Sequence, residues 1–548
     1  MKNCFKYITP ARSALLVFAL WCIAGIAVFR DYGLSWDEPV ERNSGICSDV
    51  FFKSFVAGEK IPDEIRSLWG IDQYYGMAFQ HILLTAEKIC THGNVNPIRY
   101  AESSIWHLRH GVTFLFVTLG LAVLYFSAKE YNKRNGNPYF PLFTVLSFML
   151  MPRFFAESFY NVKDIVLLAG FMFGGGALMW MAKKNDLKSI SLLALAAAFV
   201  SGLRFFGIIF FLAGVVKILL SFKPTFPRRL ARAAYFTLLF ILLLTMFYPA
   251  SYENPAKFFI DAVKVMSDHP WRGHVFFLGK IHESIALPKY YLIVWIAVTT
   301  PVFLLFCGIC GSFFGFRDIA KCSSTLKRFI LLLRSSSAEA RHFQYRLFML
   351  LLFFGGVLFL SLVSKVFYNG WRQFYFLAYP LFFLTAEGFC RIYQECSRKK
   401  FLRTLCAASA ALFAVYIVVW NINAHPWQFC YFNILAGDPN SHFETDYWRL
   451  SQADAYRQIA SYSKQKQINS AIRMSLVSFN ALSMLSQEEK SYVRLAPPNQ
   501  EFDFYISSED KEFTVPRHVR NNIFKERYCP DLFGKDVFLY RIYYRKRN

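Results

Sequence analysis

The chain has 548 residues, 55% hydrophobic and 19% aromatic, with a formal net charge of +24. A soluble protein of this length divides into domains of mixed composition; here the apolar residues come in blocks of about 16 to 25, near the ~20 needed to cross ~30 Å of hydrocarbon. The positive charge sits in alternate short loops between these blocks, not on one soluble face, so it marks membrane topology rather than nucleic-acid binding, and no nucleic-acid partner is expected.

The first block, Ser13–Phe29, follows a basic flank of Lys2, Lys6 and Arg12. Phe29-Arg30-Asp31 lacks a small-residue cleavage pattern, so the block reads as a retained anchor and not a removed signal peptide. Further apolar blocks include Gly111–Ser127, Ala233–Tyr248, Tyr290–Phe314, Leu347–Val363 and Leu405–Asn421. About eleven spans are expected, centred near residues 21, 119, 146, 172, 195, 213, 241, 302, 357, 382 and 413. The basic loops include Lys129/Lys133/Arg134, Lys183/Lys184/Lys188 and Arg391/Arg398/Lys399/Lys400/Arg403. By the positive-inside rule these loops and the N-terminus are cytoplasmic, and an odd span count puts the C-terminus outside. The fold class expected is mainly α: a polytopic membrane domain over residues 1–421, then a small extracytoplasmic α/β domain over 422–548.

The first outer loop, residues 30–109, is amphipathic. Val50–Phe55 and Tyr74–Ile89, the latter carrying His81, suit helices lying in the interface plane. In the tail, Gln452–Gln465 has helical character, whereas Ser470–Ser475, Phe502–Ser507 and Val537–Tyr544 read as strands by their β-branched and aromatic content. Of twelve cysteines, Cys47 with Cys90 and Cys430 with Cys529 share outer segments, where an oxidising compartment would permit two disulfides. Cys307-Gly-Ile-Cys310 has CxxC spacing but lies in an apolar span without partner ligands. No His/Cys set requires a metal, and no cofactor is expected; a divalent ion at Asp37/Glu38 is compatible with the sequence but not required.

The sharpest chemical signal is Asp37-Glu38, two adjacent carboxylates just beyond the first span and after Trp36. A partly desolvated carboxylate at headgroup depth suits a general base; a solvated acidic loop start is the plainer alternative. Pro152–Asp164 forms a second cluster, placing Arg153, Glu157, Lys163 and Asp164 in a turn between spans, where charges are costly unless paired or facing a polar cavity. Snorkelling would account for the two cations but not for both carboxylates. Arg204 caps the tight turn between the fifth and sixth spans, and Lys365, Tyr368, Arg372 and Gln373 lie between the ninth and tenth. All of these fall on one membrane face, where converging cations suit a lipid-linked phosphate leaving group.

These residues together resemble the GT-C glycosyltransferases, the superfamily that includes the protein O-mannosyltransferases and the bacterial aminoarabinose and related polyprenyl-phosphate-sugar transferases. The resemblance is carried by Asp37-Glu38 after the first span, Pro152–Asp164, Gly202-Leu203-Arg204, Tyr368–Tyr375 with Tyr379-Pro380, His425–Asn433 and Phe443–Trp448. It implies an inverting transfer of a sugar from a polyprenyl-phosphate donor to a glycan, lipid or protein acceptor, on the outer face of the cytoplasmic membrane. It implies Asp37 as base, with Glu38 assisting or contacting the acceptor, and Lys163, Arg204 and Arg372 steadying the departing lipid phosphate; the charged turn by itself adds Arg153 as a further donor-phosphate ligand. Glu157, Asp164, His81, Lys365 and Tyr368 would serve the acceptor or support the others. The oligosaccharyltransferase signature Trp-Trp-Asp-Tyr-Gly is absent, and no stretch is long enough for a β-trefoil insert. The rival readings are a transporter of lipid-linked sugars, which would more often show two similar halves, and an assembly factor recruiting partners through the tail.

Overall fold

Thr9 begins the membrane domain: its Oγ1 accepts from Arg12 N at 3.3 Å, and Pro10 at the first helical position leaves no amide unsatisfied. In this computed structural model, which describes residues 9–95, 102–134, 136–222, 224–267, 271–364, 366–474, 480–497, 499–508, 515–532 and 534–546, α1 (Pro10–Val28) buries only Ala14, Trp21 and Gly25. The outer excursion that follows is helical, with α2 (Asp37–Ala57), α3 (Asp63–Trp69) and α4 (Ala78–Cys90). Gly58 ends α2 in the left-handed region at φ +69°. Both segments expected to be amphipathic helices fall on α2 and α4.

The chain then runs through α5 (Ser103–Tyr131), α6 (Phe140–Met149), α7 (Pro152–Tyr160), α8 (Asp164–Lys184), α9 (Leu187–Ser201), α10 (Ile208–Leu220) and α11 (Phe226–Met246). Pro152 restarts the helix after α6, and α7 is bent 68° from it. An outer α12 (Pro255–Ser267) and a hairpin of β1 (His274–Phe277) and β2 (Lys280–Glu283) precede α13 (Tyr291–Thr299) and α14 (Val302–Cys322). The bundle closes with α15 (Leu326–Arg334), α16 (Ala338–Leu350), α17 (Gly356–Val363), α18 (Ala378–Cys396) and α19 (Lys400–Asn423).

Among the described residues, seven helical units are long and apolar enough to cross a membrane, or eight if the bent α6–α7 pair is one span. The remaining expected centres fall on the shorter α9 and α10, on α18, and at residue 302. That last position corrects the sequence reading: Tyr290–Phe314 is not one continuous helix but breaks at Thr300-Pro301. Pro301 cannot donate to the preceding turn, and the freed carbonyls of α13 find a partner far along the chain. Asn433 Nδ2 donates to Ala297 O and Thr300 O, both at 2.6 Å, and Asn433 N donates to Val298 O at 2.8 Å.

Helices α14 and α18 cross at backbone contact. A Cβ on Gly311 would overlap Leu384 O, and one on Gly388 would overlap Cys307 O. Small residues at such crossings let helices pack closely where lipid supplies no hydrophobic drive. Gly388→Leu is therefore expected to force the pair apart and lower the thermal unfolding temperature of the purified protein, whereas Gly355→Ala, in open space, is expected to leave it nearly unchanged.

After α19 comes a short α20 (Pro439–His442), then α21 (Gln452–Gln465), which has the bounds expected for it. It packs on a five-stranded mixed sheet of β3 (Ser470–Met474), β4 (Val493–Leu495), β5 (Phe504–Ser507), β6 (Ile523–Cys529) and β7 (Val537–Tyr544) in the order β4-β3-β5-β7-β6. β3 runs parallel to β4 and β5, and β7 antiparallel to β5 and β6. The edge strands β4 and β6 went unread because they are short or charged; Lys525, Glu526 and Arg527 interrupt the apolar signal in the way that protects an exposed edge. Cys47, Cys90, Cys430 and Cys529 are free thiols, so neither permitted disulfide is formed.

Candidate active site beyond the first span

Asp37 and Glu41 open α2 four residues apart, on one helical face, while Glu38 is turned away from them. Asp37 keeps 30% of its side chain exposed and accepts from Arg372 Nη1 at 2.5 Å. Burial raises its carboxyl, but the Arg372 and Lys163 charges outweigh that and hold it below the usual carboxylate value. Glu41 accepts from Lys163, whose ammonium also stands 4.2 Å from the centre of the Tyr75 ring.

The other cations arrive from distant elements. Asn161, at the end of α7, accepts at its Oδ1 from Asp164 N at 2.7 Å and Lys163 N at 3.3 Å, and so fixes the Lys163-Asp164 turn ahead of α8. Asp164 is fully buried; its Oδ1 accepts from Arg204, in the turn between α9 and α10, and its Oδ2 from Arg372 Nη1 at 3.2 Å. Arg372, in the short helical turn before α18, lies with its guanidinium 4.5 Å from the Trp448 ring centre and 5.4 Å from that of Tyr368. Burial works against its charge, yet Asp37 and Asp164 hold Arg372 firmly protonated. The Nε atoms of Arg204 and Arg372 are buried with no hydrogen-bond partner among the described residues. Three carboxylates and three cations thus alternate through the site, with Asp37 as its partly exposed acid.

The two adjacent acids separate in the fold. Glu38 is 0% exposed; its Oε2 accepts from Ser35 N at 2.9 Å and Ser35 Oγ at 3.0 Å, and its Oε1 lies 3.0 Å from His110 Nε2. It ties the start of α2 to α5 and does not face the cations. Arg153 stands apart as well: its Nε donates to Tyr431 O at 2.9 Å and its guanidinium lies 4.6 Å from the Phe432 ring centre, joining α7 to the tail. Glu157 accepts from Tyr375 Oη at 2.7 Å and Asn161 Nδ2 at 2.6 Å, so it braces the residue that fixes the Lys163-Asp164 turn. His81 lies 2.9 Å from Ser48 Oγ in the α2–α4 contact, and burial holds its imidazole below the usual value. Tyr368 stands beneath Arg372, and Lys365 falls outside the described residues.

Several participants were not anticipated. Glu41 was legible in principle, one helical turn beyond Asp37. Tyr75 and Trp448 are joined to the site only by tertiary folding. A second layer behind α2 pairs Arg42 with Glu87, Nε to Oε2 at 3.0 Å, and Arg109 Nη2 with Gln80 Oε1 at 2.7 Å. Among the described residues, no group of three or more His, Cys, Asp or Glu side chains is placed to hold a metal ion.

Fold and site define a mainly helical, multi-span protein with a small sheet domain at its C-terminal end and a buried ionic cluster just beyond its first span. The sequence matches no family model and no curated protein. In structure the chain is similar to ArnT from Cupriavidus metallidurans, at 12% identity and a TM-score of 0.44, over 97% of this chain and 98% of that one. A second structure of that protein, bound to undecaprenyl phosphate, aligns at 12% identity and TM-score 0.43, over 96% and 97%. The chain is also similar to an oligosaccharyltransferase from Archaeoglobus fulgidus, at 10% identity and TM-score 0.46, over 88% of this chain and 64% of that one.

Proposed function

We propose that this chain is a glycosyltransferase of the cytoplasmic membrane, N-terminus inside and C-terminus outside, which moves a sugar from a polyprenyl-phosphate donor to an acceptor hydroxyl. The observation that carries the reading is Asp37: a partly exposed carboxylate 2.5 Å from a buried guanidinium, at the edge of a cluster holding two further cations. Asp37 takes the proton of the acceptor hydroxyl, and the acceptor oxygen forms a bond to the anomeric carbon. The bond from that carbon to the phosphate oxygen breaks, its electron pair stays on the phosphate, and the anomeric configuration inverts. The departing polyprenyl phosphate gains one negative charge, and Lys163, Arg204 and Arg372 receive it. Asp164 orients both arginines, and Glu157 acts through Asn161.

Pairing with Arg372 makes Asp37 a weak base in the empty site. A donor phosphate competes for the guanidinium, so donor binding restores basicity to Asp37 as the acceptor becomes useful. The test is mass spectrometry of lipid intermediates and envelope glycans in cells lacking the gene. A polyprenyl-phosphate sugar is expected to accumulate beside an under-decorated acceptor, with both reversed on complementation; unchanged pools of both would sink the reading.

A further inference from the structure

Helix α8 begins at Asp164 in the ionic cluster and carries Lys183 at its far end. There, the ends of α5 and α8 and the start of α16 enclose a cavity of about 290 Å³, lined by Glu130, Tyr131, Lys133, Met179, Arg341 and His342 among others. Three cations converge on one carboxylate: Lys133 Nζ lies 2.5 Å, Lys183 Nζ 3.0 Å and Arg341 Nη2 3.9 Å from Glu130 oxygens. The other carboxylate on the wall, Glu339, is engaged by Arg328 at 3.5 Å. The Glu130 hub therefore holds two positive charges more than it neutralises.

The imbalance continues past His342, which also lines a neighbouring cavity of about 240 Å³. At that cavity Arg346 and Arg391 meet Asp318 at 2.9 and 2.7 Å and Glu387 at 2.5 and 3.6 Å, and Lys321 on the wall and Arg317, 3.8 Å from Asp318, leave the cations in excess. Trp180, next to Met179, is 47% exposed, as an aromatic at the membrane–water boundary is. Basic pockets between helix ends at that depth suit anionic headgroups, and long Lys and Arg side chains reach them while their stems stay in hydrocarbon.

We propose that the Glu130 cavity binds a phosphate-bearing anion at the basic-loop end of the bundle, the headgroup of an anionic phospholipid being the ligand its position favours. Lys133, Lys183 and Arg341 bind the phosphate, Glu130 keeps them together when the site is empty, and Met179 and Tyr345 face the apolar part of the ligand. The proposal assumes nothing about the reaction at Asp37.

The full-length protein in detergent is tested by native mass spectrometry against phosphatidylglycerol and phosphatidylcholine, and by calorimetry against inorganic phosphate. The triple variant Lys133→Gln/Lys183→Gln/Arg341→Gln is expected to lose retained phosphatidylglycerol by about tenfold or more, with phosphatidylcholine unchanged. Glu130→Gln removes the competing carboxylate and is expected to raise retention several-fold, a change that misfolding does not produce. Binding of inorganic phosphate without lipid retention, lost in the triple variant, supports the same site with free phosphate as its ligand. Equal binding by wild type and triple variant, no binding of either probe, or lower retention in Glu130→Gln overturns the proposal.

Discussion

Asp37→Asn is expected to reduce sugar transfer by about 10²–10⁴-fold, the usual loss when a positioned general base is removed, while expression and membrane insertion stay intact. The amide keeps the size of the carboxylate and still offers Arg372 an acceptor oxygen, so the start of α2 has no cause to move. What disappears is the lone pair that takes the acceptor proton, and the negative charge beside the leaving phosphate. The assay is transfer from a polyprenyl-phosphate sugar by purified protein, with donor binding measured alongside. Removing a negative charge next to the cations is expected to leave donor affinity equal or tighter, so weaker binding with normal turnover would argue for a structural role. Glu38→Gln supplies the contrast. Glu38 is buried against Ser35 and His110, so its loss is expected to appear chiefly in thermal stability.

Arg372→Ala is the second large effect. The guanidinium joins Asp37 to Asp164 and lies against Trp448 and Tyr368, so truncation removes charge, hydrogen bonds and packing together. Transfer is expected to fall by about 10²–10³-fold, as when one preorganised donor to a developing charge is lost. Asp164 keeps Arg204, so the stability loss should be less than the ~3–5 kcal/mol of an orphaned buried charge. Arg372→Lys restores the charge without the fork and should recover part of the activity. A pH profile separates this role from simple packing. Arg372 is the strongest influence lowering the Asp37 carboxyl, so in Arg372→Ala burial is less opposed and that carboxyl rises. The sign is that of a depressed acid: the stabilisation from the pair is present above the usual carboxylate range and is lost as pH falls through the lowered Asp37 value. Residual activity in Arg372→Ala is therefore expected to fail at higher pH than in the parent protein; an unmoved acid limb would point to packing alone.

Much of the architecture was legible because it is written in local pattern. Apolar blocks of membrane length, basic loops between them, and the helix at Gln452–Gln465 need nothing beyond neighbours in the chain. Asp37 could be singled out because a carboxylate at headgroup depth just beyond a span suits a general base, and Lys163, Arg204 and Arg372 because cations at helix ends on one face invite an anion. The sequence by itself thus determined a mainly helical, multi-span protein with a small sheet region toward its C-terminal end. Only the tertiary structure decided the pairings. It turned Asp37 toward Arg372 and Glu38 into the α5 contact, a division set by the 3.6-residue period of α2. It brought Glu41 to Lys163 and Trp448 under Arg372, drew Arg153 away to the Tyr431 carbonyl, and broke the helix at Pro301 where Asn433 satisfies the freed carbonyls. Each of these depends on residues tens to hundreds of positions apart, and a periodicity read along the chain carries no signal across such separations.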